Sequence, residues 1–377
     1  MRVELGEVAT YINGYAFKPS DWSDTGVPII RIQDLTGNSY QANRYNGTYD
    51  KKYEVLPGDV LISWSASLGV YVWDGEPAVL NQHIFKVVFN KCPVDKSFFV
   101  HQVRSILMRA ASAAHGATMK HLTKPVFDAL PFYLPRLEEQ RRIAAVLDKV
   151  TDLIAKRQAQ LDKLDELVKA RFVEMFGEPG TDQKGGGMVC LGSLCIINPK
   201  KSQEKRLSSD LRVSFIPMTA VTENGGIDVS ETKTYNEVKT GFTYFAEKDV
   251  LFAKITPCME NGKGAIAQRL CNGIGFGSTE FHVLRPIPGQ SNPYWIYSLT
   301  SFPQFRQDAA SNMTGSAGQR RVPASFLETY KVSAPPIALQ DQFALFVKQI
   351  QRMKAKAHNS LEKLDVLKNS LMQQYFG

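Results

Sequence analysis

A segment from the middle of the chain returns at its end in constant register. "LPRLEEQRRIAAVLD" (134–148) is answered by "APPIALQDQFALFV" (334–347), with Pro135 matched by Pro335, Gln140 by Gln340 and Ala144 by Ala344. The offset of 200 holds onward through Ala155-Lys156 and Ala355-Lys356, "LDKLDEL" (161–167) and "LEKLDVL" (361–367), and Phe176-Gly177 and Phe376-Gly377. A fixed offset over so long a stretch implies duplication, hence two copies of one structural unit. The 377 residues are also too many for one ordinary core. The expected order is a globule (1–134), a long helix (135–177), a linker (178–187), a second globule (188–334) and a second long helix (335–377).

The helices are expected from composition and punctuation. Between Arg136 and Phe176 there is neither Gly nor Pro, and strong helix formers dominate. Pro135 and Pro335 stand where helices start, Glu138 and Glu139 fall in a first turn that favours acids, and Gly177 is a stop. Such a helix is about 60 Å long at 1.5 Å per residue. Its apolar residues step by four and three: Ile143, Leu147, Val150, Ile154, Leu161, Leu164 and Val168, then Phe343, Val347, Ile350, Leu361, Leu364 and Leu371 in the second copy. That seam calls for a partner helix, and the nearest candidate is the other copy. The pseudo-two-fold symmetry of tandem repeats predicts an antiparallel pair. Arg157, Arg171, Lys354 and Lys368 interrupt the seam; their stems can still lie along apolar surface.

Both globules read as mixed α+β, with short β-rich runs first and helical segments later. Asp59-Val60-Leu61 corresponds to Asp249-Val250-Leu251, with Gly58 replaced by Lys248. Elsewhere the globules differ far more than the helices do, as expected if each reads something different.

Composition excludes several classes. A hydrophobic fraction of 44% with 22% charged residues is that of a folded globular chain. No apolar run reaches the roughly 18 residues of a membrane helix, and the first residues lack the apolar core of an export signal. Five scattered cysteines without a CxxC pair point to free thiols in a reducing, cytoplasmic setting. The net charge of +8 permits an acidic partner. Phosphate-loop, HExxH, GxSxG and NPPY-type signatures are absent, so no catalytic centre is expected. "GIGFG" (273–277) imitates a cofactor loop but precedes a strand-like segment and is expected to be a turn. The six histidines show no metal spacing.

The candidate binding residues are polar or basic side chains near turns, beside aromatic ones. In the first globule they are Lys18, Arg31, Gln33, Ser63, Trp64, Ser65, Asn81, Gln82, His83, Lys120 and His121. In the second they are Lys200, Lys201, Lys254, Thr256, Glu260, Asn261, Lys263, Thr279, Glu280, His282, Gln319, Arg320 and Arg321. Arg, Lys, Gln and Asn can read base edges bidentately, and Lys and Arg neutralise phosphates. "TMKHL" (118–122) and "GQRR" (318–321) hold equivalent places in the two halves. Glu138, Glu139, Gln140 and Gln340 at the helix starts are candidate partner contacts.

The whole pattern resembles the specificity subunit of type I restriction–modification systems. The resemblance rests on "IIRIQDLTG" (29–37), "VLPGDVLISWSASLG" (55–69), "LNQHIFKV" (80–87), "GATMKHLT" (116–123), "LPFYLPRLEEQRRIAAVLD" (130–148), "EKDVLFAKITPCMENGKG" (247–264), "GSTEFHVLRP" (277–286), "GSAGQRRV" (315–322) and "APPIALQDQ" (334–342), and it covers essentially the full chain. The second copy departs by replacing "PRLEEQ" with "PPIALQDQ". The resemblance implies a non-catalytic subunit with two target-recognition domains on long antiparallel coiled-coil helices, each domain reading half of a bipartite site on double-stranded DNA. It implies two methyltransferase subunits using S-adenosylmethionine and two motor-nuclease subunits using ATP and Mg as partners, with no cofactor on this chain. The competing expectation is a coiled-coil adaptor with two ligand-binding globules and no DNA role.

Overall fold

A computed structural model describes residues 1–37, 43–65, 67–113, 123–183, 185, 187–201, 207–316 and 318–377, with only the backbone of 112 and 113. Among the described residues the first globule contains ten strands: β1 (Arg2–Glu4), β2 (Thr10–Asn13), β3 (Val27–Ile30), β4 (Arg44–Tyr45), β5 (Glu54–Val55), β6 (Val60–Ser63), β7 (Gly69–Val72), β8 (Ala78–Leu80), β9 (Ile84–Val88) and β10 (Pro131–Tyr133). The second repeats them: β11 (Met188–Cys190), β12 (Cys195–Ile197), β13 (Arg212–Ile216), β14 (Thr232–Thr234), β15 (Thr243–Ala246), β16 (Val250–Ala253), β17 (Gly264–Ile266), β18 (Ile274–Gly277), β19 (Phe281–Pro286) and β20 (Lys331–Ser333).

The strand orders are duplicated as well. Sheets β2-β9-β6-β7 and β4-β3-β8-β5 in the first globule match β12-β19-β16-β17 and β14-β13-β18-β15 in the second. The small pairs β1-β10 and β11-β20 also match. The two copies share a parallel strand pairing, β3 with β8 and β13 with β18. "GIGFG" is therefore not a turn: Ile274–Gly277 forms the interior strand β18. Its glycines are required by closeness, since a Cβ on Gly275 would lie 2.1 Å from the Phe245 ring and one on Gly277 2.2 Å from the Ile216 carbonyl.

The turn into β6 and β16 is built alike in both copies. Asp59 accepts from Leu56 N–H at 2.8 Å and Asp249 from Ala246 N–H at 2.8 Å. Asp59 is paired with Lys86 at 3.0 Å; buried Asp249 is gripped bidentately by Arg285 at 2.8 and 2.7 Å. The residue before the aspartate is left-handed, Gly58 at φ 91° and Lys248 at φ 72°. Lysine thus occupies a conformation that suits glycine.

The long helices span Leu137–Phe176 and Ile337–Phe376. The chain divides into two compact units that cut through both: Met1–Gln158 with Asn359–Gly377, and Ala159–His358. In the first unit Ile143, Ala144 and Leu147 join the core of the first globule, and so does Phe376, whose ring meets Phe98 at 5.5 Å. In the second unit Phe343, Ala344 and Val347 share a core with Phe172 and Phe176, and Phe343 meets their rings at 5.6 and 5.4 Å. The start of one helix therefore packs beside the end of the other within each unit, which is the expected antiparallel pairing. The seam's basic residues find specific places. Lys354 reaches across to Asp165 at 2.7 Å, Arg171 pairs with Glu174 at 2.8 Å, and Lys368 is partly buried with its ammonium pKa pushed down by burial and by Arg104. Arg157 is exposed.

Candidate nucleic-acid interface

Gln140 and Gln340 were expected at a partner surface, and the structure corrects this. They are 1% and 0% exposed and act as internal clamps. Gln140 accepts from Asp95 N–H at 2.8 Å and donates to the Pro135 carbonyl at 2.9 Å. Gln340 accepts from Asn292 N–H at 2.9 Å and donates to the carbonyls of Pro335 at 2.8 Å and Gln290 at 3.1 Å. Asp95 and Asn292 each accept a backbone N–H at the start of a globule helix, from Phe98 at 3.0 Å and Tyr294 at 2.9 Å. The repeated Pro-Gln spacing thus ties a long helix to its preceding globule. At this helix start Glu138 is exposed and half-buried Glu139 pairs with Arg142 at 2.7 Å.

The two globules gather candidate residues at one equivalent place. Where β6 ends, Trp64 N–H donates to the His83 carbonyl at 3.2 Å; where β16 ends, Lys254 N–H donates to the Glu280 carbonyl at 2.9 Å. In the first globule this brings together Trp64 and Ser65 with Asn81, Gln82 and His83. Gln82 N–H donates to the Tyr15 carbonyl at 2.8 Å, and Asn81 N–H to the Ile30 carbonyl at 3.1 Å, next to Arg31. Trp64 is stacked on Phe85 at 5.6 Å and donates to Asn13 Oδ1 at 3.2 Å. His83 holds a left-handed backbone, φ 72°. Arg31 pairs with Asp34 at 3.5 Å and lies over Trp22, while exposed Gln33 follows it and exposed Lys18 opens the turn Pro19–Asp21. Lys120 and His121 lie outside the described residues.

In the second globule Lys254, Thr256, Glu260, Thr279, Glu280, Gln319, Arg320 and Arg321 converge, with Asn261 exposed on the adjoining turn. Thr256 N–H donates to the Arg320 carbonyl at 3.0 Å and its hydroxyl to Glu260 at 2.8 Å. Arg321 Nε and Nη2 grip the Glu280 carboxylate at 2.9 and 2.8 Å, and this holds Glu280 below the usual carboxylate pKa. Arg320 turns back to the carbonyls of Ala310 and Met313, both at 3.1 Å. Lys263 reaches instead toward the Met218 carbonyl, and Lys201 lies over the Tyr235 ring at 4.0 Å, beside exposed Lys200.

Three further expectations are corrected by burial. Ser63 is 0% exposed and its hydroxyl donates to the Ser67 carbonyl; Ser65 is 5% exposed. His282 is 5% exposed, bonded at Nε2 to the Val322 carbonyl at 2.8 Å and at Nδ1 to Asn198 at 3.0 Å, with burial pushing its pKa down. The Ser63 and His282 side chains are turned to backbone carbonyls inside their globules.

Arg306 belongs to the second globule's cluster, unmarked by any sequence signal. It is 6% exposed, lies over Phe252, and donates to the carbonyls of Met259 at 3.0 Å and Gly262 at 3.3 Å, so it braces the turn that carries Glu260 and Asn261. Burial pushes its guanidinium pKa down to about 10. Exposed Tyr15, packed edge-on to Phe17 at 4.9 Å, lies just past β2; the aromatic run "YINGYAF" (11–17) is its only sequence signal. Among the described residues there is no His, Cys, Asp and Glu group suited to a metal, and no helix is long and apolar enough to cross a membrane.

These features define a class: a duplicated pair of α+β domains, each clamped to a long helix, with unlike polar clusters at matching loops. Residues 1–165 and 184–365 match the type I restriction modification DNA specificity domain, and the chain belongs to that family. It is 37% identical over 203 residues to the type I restriction enzyme EcoEI specificity subunit of Escherichia coli, a match covering 54% of this chain and 32% of that relative. It is 37% identical over 204 residues to the EcoAI specificity subunit of the same species, covering 53% and 34%. Each match thus spans about a third of the relative's length. Two solved structures show likeness of fold. One is the type I restriction–modification S subunit from M. genitalium (TM-score 0.56, 13% identity, covering 100% of this chain and 96% of that one). The other comes from work on complex assembly and conformational transition of the type I R-M system (TM-score 0.55, 17% identity, covering 100% and 97%).

Proposed function

We propose that this chain is the DNA sequence-recognition subunit of a type I restriction–modification complex, without catalysis of its own. Each globule reads one half of a bipartite target, and the paired helices set the spacer. The observation that supports this best is the matching placement of unlike clusters, Trp64 with Asn81–His83 and Lys254–Asn261 with Glu280 and Arg321, on a duplicated strand order. One scaffold presenting two chemistries suits two different half-sites. Glu138 and Glu139 at the first helix start, with the exposed helix faces, are the proposed docking surface for two methyltransferase subunits. Those subunits bring S-adenosylmethionine, and two motor-nuclease subunits bring ATP and Mg; the assembly works in the cytoplasm.

Co-expression with its methyltransferase and genome-wide mapping of modified adenines tests this proposal. A bipartite motif with a constant spacer is expected; modification without sequence preference refutes it. Deleting four residues from one helix should change the spacer, and an unchanged spacer counts against the ruler. An adaptor of neutral ligands would lack the steep fall of affinity with salt that phosphate contacts impose.

A further inference from the structure

We infer that Arg321 reads a guanine in one half-site and that Glu280 is the positioning residue that aims it. The inference rests on the proposed DNA role and assigns a base to one position.

Arg321 is fixed before any ligand arrives. Its N–H donates to the Thr314 carbonyl at 2.8 Å and its carbonyl accepts from Thr314 N–H at 3.0 Å. On either side Thr256 N–H donates to the Arg320 carbonyl at 3.0 Å and Val322 N–H to the Lys254 carbonyl at 2.9 Å. The side chain is fixed as well: Nε and Nη2 meet the two Glu280 oxygens, and Nη1 donates to the Gln319 carbonyl at 3.1 Å. A guanidinium carries five N–H donors. Three are engaged, and among the described residues the other two, one on each terminal nitrogen, have no partner. The side chain is 41% exposed. Two parallel donors on a plane held from behind match guanine O6 and N7 in the major groove, with the ordering cost met beforehand.

A phosphate is the competing acceptor, and the pair disfavours it. Glu280 neutralises most of the charge that would attract an anion and would repel one docked on the outer edge. A neutral base edge meets no such penalty. Arg320 is held differently: among the described residues only its Nη2 donates, to the Ala310 and Met313 carbonyls.

The test measures equilibrium binding of the full chain, co-purified with its methyltransferase, to duplexes varied one position at a time. Wild type should prefer guanine at one position of one half-site by about 10- to 100-fold over other bases. R321K keeps the charge but loses the fork, and should abolish that preference while leaving the other positions intact. E280Q should weaken the same preference and no other, while thermal unfolding of both variants stays near wild type. The inference is overturned if R321K keeps the guanine preference, or if it weakens all sequences equally with a shallower salt slope, the mark of a phosphate contact. It is also overturned if E280Q leaves selectivity at that position untouched. A wild-type complex that prefers no sequence would instead overturn the DNA role itself.

Discussion

Replacing Gln340 with alanine tests the clamp that the repeat encodes. The side chain is fully buried and makes three neutral hydrogen bonds, to Asn292 N–H and to the carbonyls of Pro335 and Gln290. At about 1 kcal/mol net for each, Gln340→Ala should cost about 3 kcal/mol. Gln140 makes two such bonds, so Gln140→Ala should cost about 2 kcal/mol. Urea unfolding reads the difference: with a slope of about 2 kcal/mol/M, Gln340→Ala lowers the midpoint by about 1.5 M. Hydrogen exchange should place the loss at the start of the helix Ile337–Phe376 and in the segment leading into Pro293–Ser301. Gln340→Glu should be worse than alanine at pH 7, because a carboxylate would face two carbonyl oxygens in place of donating to them. A Gln340→Ala chain that unfolds within about 0.5 kcal/mol of wild type, an effect no larger than that of an ordinary surface change, refutes the clamp. A larger loss from Gln140 than from Gln340 would refute the bond-by-bond account as well.

Lys248→Gly should raise stability by about 1 kcal/mol in urea unfolding, since glycine relieves the left-handed backbone at φ 72°; a loss would contradict this. Arg306→Ala removes both bonds bracing the Met259–Gly262 turn and should lower stability by about 3 kcal/mol; proteolysis or exchange confined elsewhere would count against it. His282 and His101 both have pKa values pushed below the usual histidine value, His282 chiefly by burial and His101 by burial and by Arg104 and Lys368. The unfolded chain then binds more protons than the folded one just below pH ~6.5, so stability present above that pH is lost as pH falls. The urea midpoint should drop between pH 7.5 and 5.5, and His282→Gln should reduce the drop; a midpoint that rises on acidification has the wrong sign.

Local signals in the sequence carried the helices and the duplication because both are written in short-range spacing. The seam residues Ile143, Leu147 and Val150 and their counterparts Phe343, Val347 and Ile350 are buried as a three-four repeat requires. What the pattern could not convey was pairing between distant segments. β2 lies between no sequence neighbours in its sheet, since its partner β9 begins some seventy residues later. Gln140 looked like a surface polar residue because its partner, Asp95 N–H, belongs to a loop whose position only the fold supplies. His282 was misplaced for the same reason: its alternation along β19 is apolar-like, yet it pairs with Asn198 and Val322 from far along the chain. Lys354 interrupted the apolar seam on paper, and only the antiparallel register shows Asp165 opposite it. Arg306 gave no signal at all, because a lone arginine in a helix of mixed composition is ordinarily solvated.

The duplicated scaffold also accounts for where divergence is tolerated. Sheets, clamps and aspartate turns recur because each is tied to the same neighbours in both copies: Asp59 and Asp249 to the turn before them, Gln140 and Gln340 to a globule helix. A change at buried Asp249, Gln140 or Gln340 leaves a polar group unpaired. The loops leaving β6 and β16 share one backbone bond, Trp64 to His83 and Lys254 to Glu280. Around that shared bond the first copy builds an aromatic stack, Trp64 on Phe85 with His83 at its edge, and the second an ionic fork, Arg321 on Glu280. The side chains on these loops differ while the strand order that presents them is the same. Two surface chemistries arise from one folding problem solved twice.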